Sequence, residues 1–510
     1  MRILSIKLGS DPESRGVIQH LRKLIPEVWI AGVEERLDSP ESVFDHVVTS
    51  HYDAYLGNYA GVNVAELAMT PELYSLVAPF EGQALSMLDR VRFYVPENYP
   101  PPRKGLPHFR DSFDARADLF SRHCRFWNYI LDEHGIEAVI AQNFGHQGFD
   151  FVALSLAEAK GIPTLIFNET GQFPRVQFIQ ENVRQLGMLA LGQELKKRVA
   201  LEMTAEDPAF IRRTINSIQQ TPDRFGNPDN YATSLLKSWL MDLNVRVARP
   251  SLQVLSTTLL NKFRRFQAQP IKRLVGMIKT QSRIRLTRNS MAEERSFSQV
   301  PNLDAKYVYF PLHFQPEATT SVKGRHFYQL REAVSFIASH LPPGWNLIVK
   351  EHPHQWRRLY NRKPGFYAEL CETPKVQLVH HSCNNFPLIQ HAQAVVCVSH
   401  SSISAYATAN GIPVISLGHS HFRESPNYYC IVSTTDLRDV IRNITIGSRS
   451  LGAQDQEQFL DKLERSTFEG LLGYTPKNID SNEYRRILHV TQINISLVIR
   501  EWLRLRGVLK

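Results

Sequence analysis

Two short stretches concentrate the residues that could do chemistry. They are Lys350-Glu351-His352-Pro353 and, 46 residues later, Ser399-His400-Ser401-Ser402. Each follows an apolar run of strand character, Trp345-Asn346-Leu347-Ile348-Val349 and Ala394-Val395-Val396-Cys397-Val398. Side chains just past the ends of parallel strands enter the ligand crevice of an open α/β sheet. The two turns are therefore expected to be consecutive βα turns that build one phosphate site. Pro353 keeps His352 extended, so Lys350 and His352 are expected to project to one side. A histidine beside a phosphate is stabilised as imidazolium and can neutralise or protonate a departing phosphate. Ser401 or Ser402 stands where a helix N-cap belongs, and the unpaired N–H groups and positive helix end there favour an anion, with Ser399 adding a hydroxyl. The plainer alternatives are a serine that only caps its own helix and a surface Glu-His pair.

Further candidates lie after other strands. In the loop Pro311 to Thr320, His313, Gln315, Glu317 and Thr319 could hold substrate, or the loop could be only a polar turn. Glu169 follows the apolar run Thr164-Leu165-Ile166-Phe167. It could act as a general base, act as a nucleophile, or be structural. Asn143, with Gln142 and His146, could contact sugar hydroxyls, and Asp11 and Arg15 lie in the loop after the first strand. The Asp-x-Asp and GxxxxGK[ST] patterns are missing from the sequence. No metal site, no cofactor and no P-loop hydrolysis are therefore expected, and His352, Lys350 and the helix terminus would have to meet the charge of a leaving phosphate.

The elements that must position these residues are those of an α/β protein. Strands are expected at Ile3–Leu8, Glu137–Ala141, Thr164–Phe167, Tyr307–Phe310, Leu347–Val349, Val376–Val379, Ala394–Val398 and Val414–Leu417. Helices are expected at Val17–Leu24, Phe151–Lys160, Phe327–His340, Phe386–His391 and Ser401–Asn410. This alternation predicts two Rossmann-like domains of parallel sheet covered by helices, facing a cleft as in GT-B proteins. The expected boundaries are an N-terminal acceptor-side domain 1–190, a helical basic insertion 191–300, a nucleotide-sugar domain 301–451 and C-terminal helices 452–510 that form a tail. Fold alone does not establish function.

The segments Phe310–Thr320, Val349–Pro353, Val398–Ser402 and Gly411-Ile412-Pro413-Val414 resemble the bacterial capsule polysaccharide biosynthesis family, which includes Kdo transferases. The His-Pro and Ser-Ser elements are also similar to those of bacterial sialyltransferases. Both groups use CMP-activated acidic sugars on GT-B-like folds without a metal. The resemblance covers roughly 300–420 well and the N-terminal half in outline. It implies that His352, Ser401 and Ser402 hold the CMP phosphate; Lys350, Pro353 and Ser399 are further phosphate-site candidates from the strand-end turns themselves. Residues 191–300 match nothing in that resemblance.

Charge and composition set the surroundings. Residues 243–292 hold eleven Lys and Arg and no Asp or Glu, while the 510-residue chain totals +9, so the remainder is slightly acidic. Basic residues interleaved with Leu, Val, Ile and Phe can lie on anionic lipid, at about 1 kcal/mol per residue. A solvated basic face and a nucleic-acid contact are the alternatives, the latter without a recognition module around it. Five scattered cysteines, without CxxC spacing, argue for a reducing cytoplasm. Neither a signal peptide nor a run of about 18 apolar residues is visible. The expectation is a cytoplasmic enzyme, peripheral on the inner face of the membrane. It would move a Kdo-like sugar from a CMP donor to a surface-polysaccharide or lipid-linked acceptor. A CDP-polyol phosphotransferase and a non-catalytic membrane-docking subunit are the rival expectations.

Overall fold

The computed structural model describes residues 1–35, 41–59, 61–94, 113–145, 147–169, 175–180, 188–199, 285–315, 317–353, 355, 362–447, 453–470, 472 and 481–510. The strands are β1 (Arg2–Ile6), β2 (Trp29–Glu34), β3 (His46–Ser50), β4 (Ala138–Gln142), β5 (Thr164–Glu169), β6 (Arg175–Gln180), β7 (Tyr307–Pro311), β8 (Asn346–Lys350), β9 (Val376–Val379), β10 (Ala394–Cys397), β11 (Val414–Ser416), β12 (Tyr428–Cys430) and β13 (Phe468–Glu469). They form two sheets. One runs β13-β6-β5-β4-β1-β2-β3, the other β12-β11-β10-β7-β8-β9. The second is parallel throughout, and in the first only β6 and β13 are antiparallel additions at one edge. These two Rossmann-like sheets give the GT-B-type architecture expected from the alternation. Its strands read as continuous apolar runs because helices cover both faces; the five residues of β7 are all buried.

The helix expected from Val17 begins earlier, at Pro12. Asp11 caps it by accepting the Ser14 N–H at 2.8 Å, and Pro12 occupies the first turn, where its missing N–H costs nothing. The C-terminal helices are not a free tail. Ser481–Leu505 packs along Pro12–Leu24, with Trp502, Val498 and Ile499 in one core with Val17, Ile18 and Leu21. The Ser496 hydroxyl donates to the Val17 carbonyl at 2.9 Å. The chain thus returns to its first sheet after completing the second, and β13 pairs there with β6.

Strand order locates the crevices. In each sheet the order reverses once, between β1 and β4 and between β7 and β10. Loops diverge at such a switch point, leaving room for a ligand beyond the carboxyl ends of the strands. One expectation is corrected here. The His352 and Ser401 turns are not consecutive, because β9 separates them in sequence and β7 separates their strands in the sheet. Strands two apart lie roughly 9–10 Å from each other, so the loop after β7 stands between the two turns.

Candidate functional site

The loop after β7 is fixed from below by a buried carboxylate. Glu351 is fully buried and accepts from Arg362 Nε and Nη2 at 2.8 and 2.9 Å and from the Tyr367 hydroxyl at 2.8 Å. Arg362 also donates to the His313 carbonyl at 3.1 Å and to Gln315 Oε1 at 2.6 Å. Glu351 in turn receives the His352 N–H at 2.7 Å. One ion pair therefore sets both the His352 turn and the β7 loop. Bidentate geometry and full hydrogen bonding are what make such a buried pair tolerable.

Several predicted ligand contacts are occupied inside the protein. Lys350 is a correction: its ammonium donates to the carbonyls of His381 and Cys383, both at 3.0 Å, and burial lowers its pKa to about 8. The sheet ladder still includes Lys350, which pairs with Val379, so its side chain follows the pleat toward the β9 loop instead of joining His352. His313 Nε2 accepts the Val398 N–H at 3.1 Å, which ties the β7 loop to the end of β10. Burial pushes the His313 pKa down to about 4, so its imidazole is neutral. Gln315 spends its amide on the Tyr328 carbonyl at 2.5 Å and on Arg362. Thr319 donates to Glu317 at 2.6 Å. These four residues shape the loop through internal bonds.

Ser401 caps the helix Ser402–Ala409 in a reciprocal box with Ser404. Ser402 is exposed at the first helical position, and Ser399 is fully buried. His352 and Pro353 are half-buried, the His352 ring lying 6.0 Å from that of Phe314. Asn143 ends β4 in the left-handed region (φ 67°) and donates its N–H to the Phe167 carbonyl at 2.7 Å. The backbone of Glu169 ends β5 opposite Val176. The Glu169 side chain, His146, Thr170, Gly171 and residues 243–284 lie outside the described residues.

The structure joins His400 of the Ser399–Ser402 turn to two residues that the strand-end motifs did not include. Lys323, His400 and His421 meet at the crevice beside β10, against the first domain. The Lys323 ammonium lies 5.6 Å from the centre of the Phe144 ring, close enough for a cation–π contact. Asn168 Nδ2 reaches the His421 ring at 3.3 Å. The His400 and His421 rings are 4.2 Å apart. Burial and the Lys323 charge hold both imidazoles well below their usual pKa, and burial lowers Lys323 itself to about 8. Glu317 pulls the Lys323 value upward, yet no carboxylate among the described residues forms an ion pair with Lys323. Nearby, Ser399 Oγ and His400 Nδ1 are buried and find no hydrogen-bond partner among the described residues. Gly418 permits this convergence: a Cβ there would lie 2.1 Å from the Lys323 carbonyl oxygen and 2.4 Å from that of Val398. Lys323 follows a loop and short helix, so no apolar run announced it. His421 follows β11, and the strand-end rule applied to that strand would have found it.

Residues 242–425 match the capsule polysaccharide biosynthesis protein family. The resemblance carried by the Phe310–Thr320, His352-Pro353 and Ser401-Ser402 segments therefore holds. It also extends further upstream than those segments: the match begins at 242, within the 191–300 stretch that those segments do not cover. No curated protein matches the chain. Among solved structures it is similar to KpsC, a β-Kdo 2,7 transferase from Thermosulfurimonas dismutans, at 11% identity over 72% of this chain and 89% of that one, with a TM-score of 0.28. It is similar to UDP-GlcNAc 2-epimerase of Methanocaldococcus jannaschii at 9% identity over 90% and 98%, with a TM-score of 0.28. A third is the spinosyn rhamnosyltransferase SpnG, at 11% identity over 91% and 97%, with a TM-score of 0.22. No helix among the described residues is long and apolar enough to cross a membrane.

One further group has metal-ligand chemistry. Glu294, His380 and His381 bring three ligand atoms within 4.8 Å of one another, at the end of the edge strand β9. It qualifies the expectation that the chain offers no metal ligands.

Proposed function

We propose that the protein is a glycosyltransferase of capsule or surface-polysaccharide synthesis that uses a CMP-activated, Kdo-like acidic sugar. The observation that carries this reading is the unmatched polar set at the second crevice: a buried lysine without an ion-pair partner among the described residues, a buried hydroxyl and a buried imidazole nitrogen. Buried polar groups are normally satisfied, and a ligand bearing negative charge and several acceptor oxygens would satisfy all three. A sugar carboxylate together with a nucleotide phosphate has that chemistry.

In this reading His352 and the N-terminus of the helix Ser402–Ala409, with the Ser401 and Ser402 hydroxyls, hold the phosphate of CMP. Lys323 replaces Lys350 as the cation that offsets its charge. The bond from the anomeric carbon to the phosphate oxygen breaks, and CMP leaves with the electron pair. A bond from the acceptor oxygen to the anomeric carbon forms. The acceptor proton passes to a base, a role this reading assigns to Glu169, whose backbone ends β5. An anionic membrane contact through 243–292 would bring a lipid-linked acceptor to the first domain.

Thermal shift with CMP, CDP, UDP and GDP at millimolar concentration tests the donor. CMP is expected to raise the melting temperature; a response to UDP or GDP with none to CMP overturns the assignment. A response selective for CDP, with a phosphodiester in the product, would instead indicate polyol-phosphate transfer. His352→Ala is expected to abolish transfer with the fold intact, and wild-type turnover in that variant removes His352 from the mechanism.

A further inference from the structure

The group formed by Glu294, His380 and His381 sits at the junction between the helix 285–297 and the sheet. Two consecutive glutamates dock that helix. Glu293 accepts the N–H groups of Gly365, Tyr367 and Ala368, at 3.1, 2.9 and 3.3 Å, and so caps the helix Phe366–Cys371. Glu294 instead turns to the loop after β9. Its Oε1 accepts the His381 N–H at 2.7 Å. Its Oε2 faces His381 Nδ1 at 3.3 Å and His380 Nε2 at 3.6 Å.

Charge makes this arrangement unusual. Glu294 is fully buried, and a buried carboxylate is costly without a compensating cation. No Lys or Arg among the described residues forms an ion pair with it; the nearby Lys350 ammonium is committed to the His381 and Cys383 carbonyls. The groups that face its Oε2 are the two imidazoles, and imidazole and carboxylate are both metal ligands.

Geometry points the same way. Zinc bonds imidazole nitrogen and carboxylate oxygen at about 2.0–2.1 Å in a tetrahedron, which places neighbouring ligand atoms about 3.3–3.4 Å apart. The separations of 3.3 and 3.6 Å fall near that edge length. His380 Nδ1, the nitrogen away from Glu294, lies 2.6 Å from Ser382 Oγ. Outer partners of this kind orient a ligating imidazole.

We propose that Glu294 Oε2, His380 Nε2 and His381 Nδ1 bind one zinc ion, with a fourth position left for water. The ion neutralises the buried carboxylate and fastens the helix 285–297 to the β9 loop. Through the His381 and Cys383 carbonyls it also holds Lys350, two residues before His352.

The test uses full-length protein without a polyhistidine tag, stripped with chelator, loaded with Zn²⁺ and passed through gel filtration before metal analysis. One zinc per chain is expected to be retained and to raise the melting temperature. Cobalt(II) loaded in its place is expected to give the intense visible bands of a low-coordinate site. Glu294→Gln and His381→Ala are expected to weaken zinc binding at least tenfold and to lose the thermal shift. Should Glu294→Gln fail to fold, His380→Gln at the half-buried ring gives the same readout. Failure of the wild type to retain zinc, or full retention by folded variants, overturns the proposal. None of these outcomes depends on the donor assignment.

Discussion

The two crevices differ in whether their lysine is already matched. At the first switch point Lys7 stands at the end of β1 in the left-handed region (φ 68°), its ammonium 2.6 Å from Asp150 Oδ2, with both side chains at least nine-tenths buried. Asp150 Oδ1 also accepts the Gln147 and Phe151 N–H groups, each at 2.8 Å. That charge is balanced within the protein. At the second switch point Lys323 is as deeply buried but faces an aromatic ring and two neutral imidazoles. A lysine paired internally is scaffold; one buried without an ion-pair partner calls for an anion from outside. Under the proposed function the first crevice would take a neutral hydroxyl acceptor and the second an anionic donor.

Substitution at the two lysines breaks or sharpens this contrast. Lys7→Met leaves Asp150 buried without its cation, a loss of about 3–5 kcal/mol, and its urea midpoint is expected to fall accordingly. Lys323→Met strands no partner. Its midpoint is expected to stay level or rise, while the CMP-induced thermal shift shrinks and turnover falls roughly 100-fold, about 2.7 kcal/mol of barrier at 1.36 per decade. Equal destabilisation in the two variants would remove the distinction between the crevices.

How far the sequence disclosed this contrast depends on how each residue is positioned. The crevices were legible because apolar runs mark parallel strands and their ends mark loops. His352, Ser399 and Ser401 follow directly from that. Lys350 was misread because alternation was carried past the turn, whereas the ladder to β9 still includes it. Lys323 was invisible because nothing local places it; the close approach of Gly418 and the Val398 carbonyl does. The buried pair of Glu351 and Arg362 is equally hard to read locally, since no described helix or strand carries both residues. In the first sheet, β2 carries Gly32 and ends in Glu34, and β13 is two residues long, so neither announces itself by pattern.

A smaller effect follows from proton linkage. Burial lowers Lys323 from the ordinary lysine value of 10.5 to about 8. Without ligand, the folded state binds fewer protons than the unfolded chain between those values, so this group makes stability rise with pH from about 8 toward 10.5. An anion reverses the preference by favouring the charged amine. CMP affinity is therefore expected to fall about tenfold per pH unit above about 8, measured by calorimetry. Lys350 titrates in the same range but is bonded to carbonyls, so Lys323→Met is the control: its affinity is expected to be flat over that window.

The smallest effect concerns Ser401, where two roles share one hydroxyl. Its Oγ accepts the Ser404 N–H at 3.0 Å, while its own N–H donates to Ser404 Oγ at 2.8 Å. Ser401→Ala is expected to cost about 1 kcal/mol of stability through loss of the cap. A capping oxygen still has a hydrogen to donate, so the cap does not preclude a bond from the same hydroxyl to a phosphate. Ser401→Asn separates the two roles, because asparagine caps as well as serine but cannot place a hydroxyl there. Retained stability with weakened CMP binding assigns the hydroxyl to the ligand. Retained stability with unchanged binding leaves Ser401 as a cap alone and shifts the phosphate contact to Ser402 and the helix N–H groups.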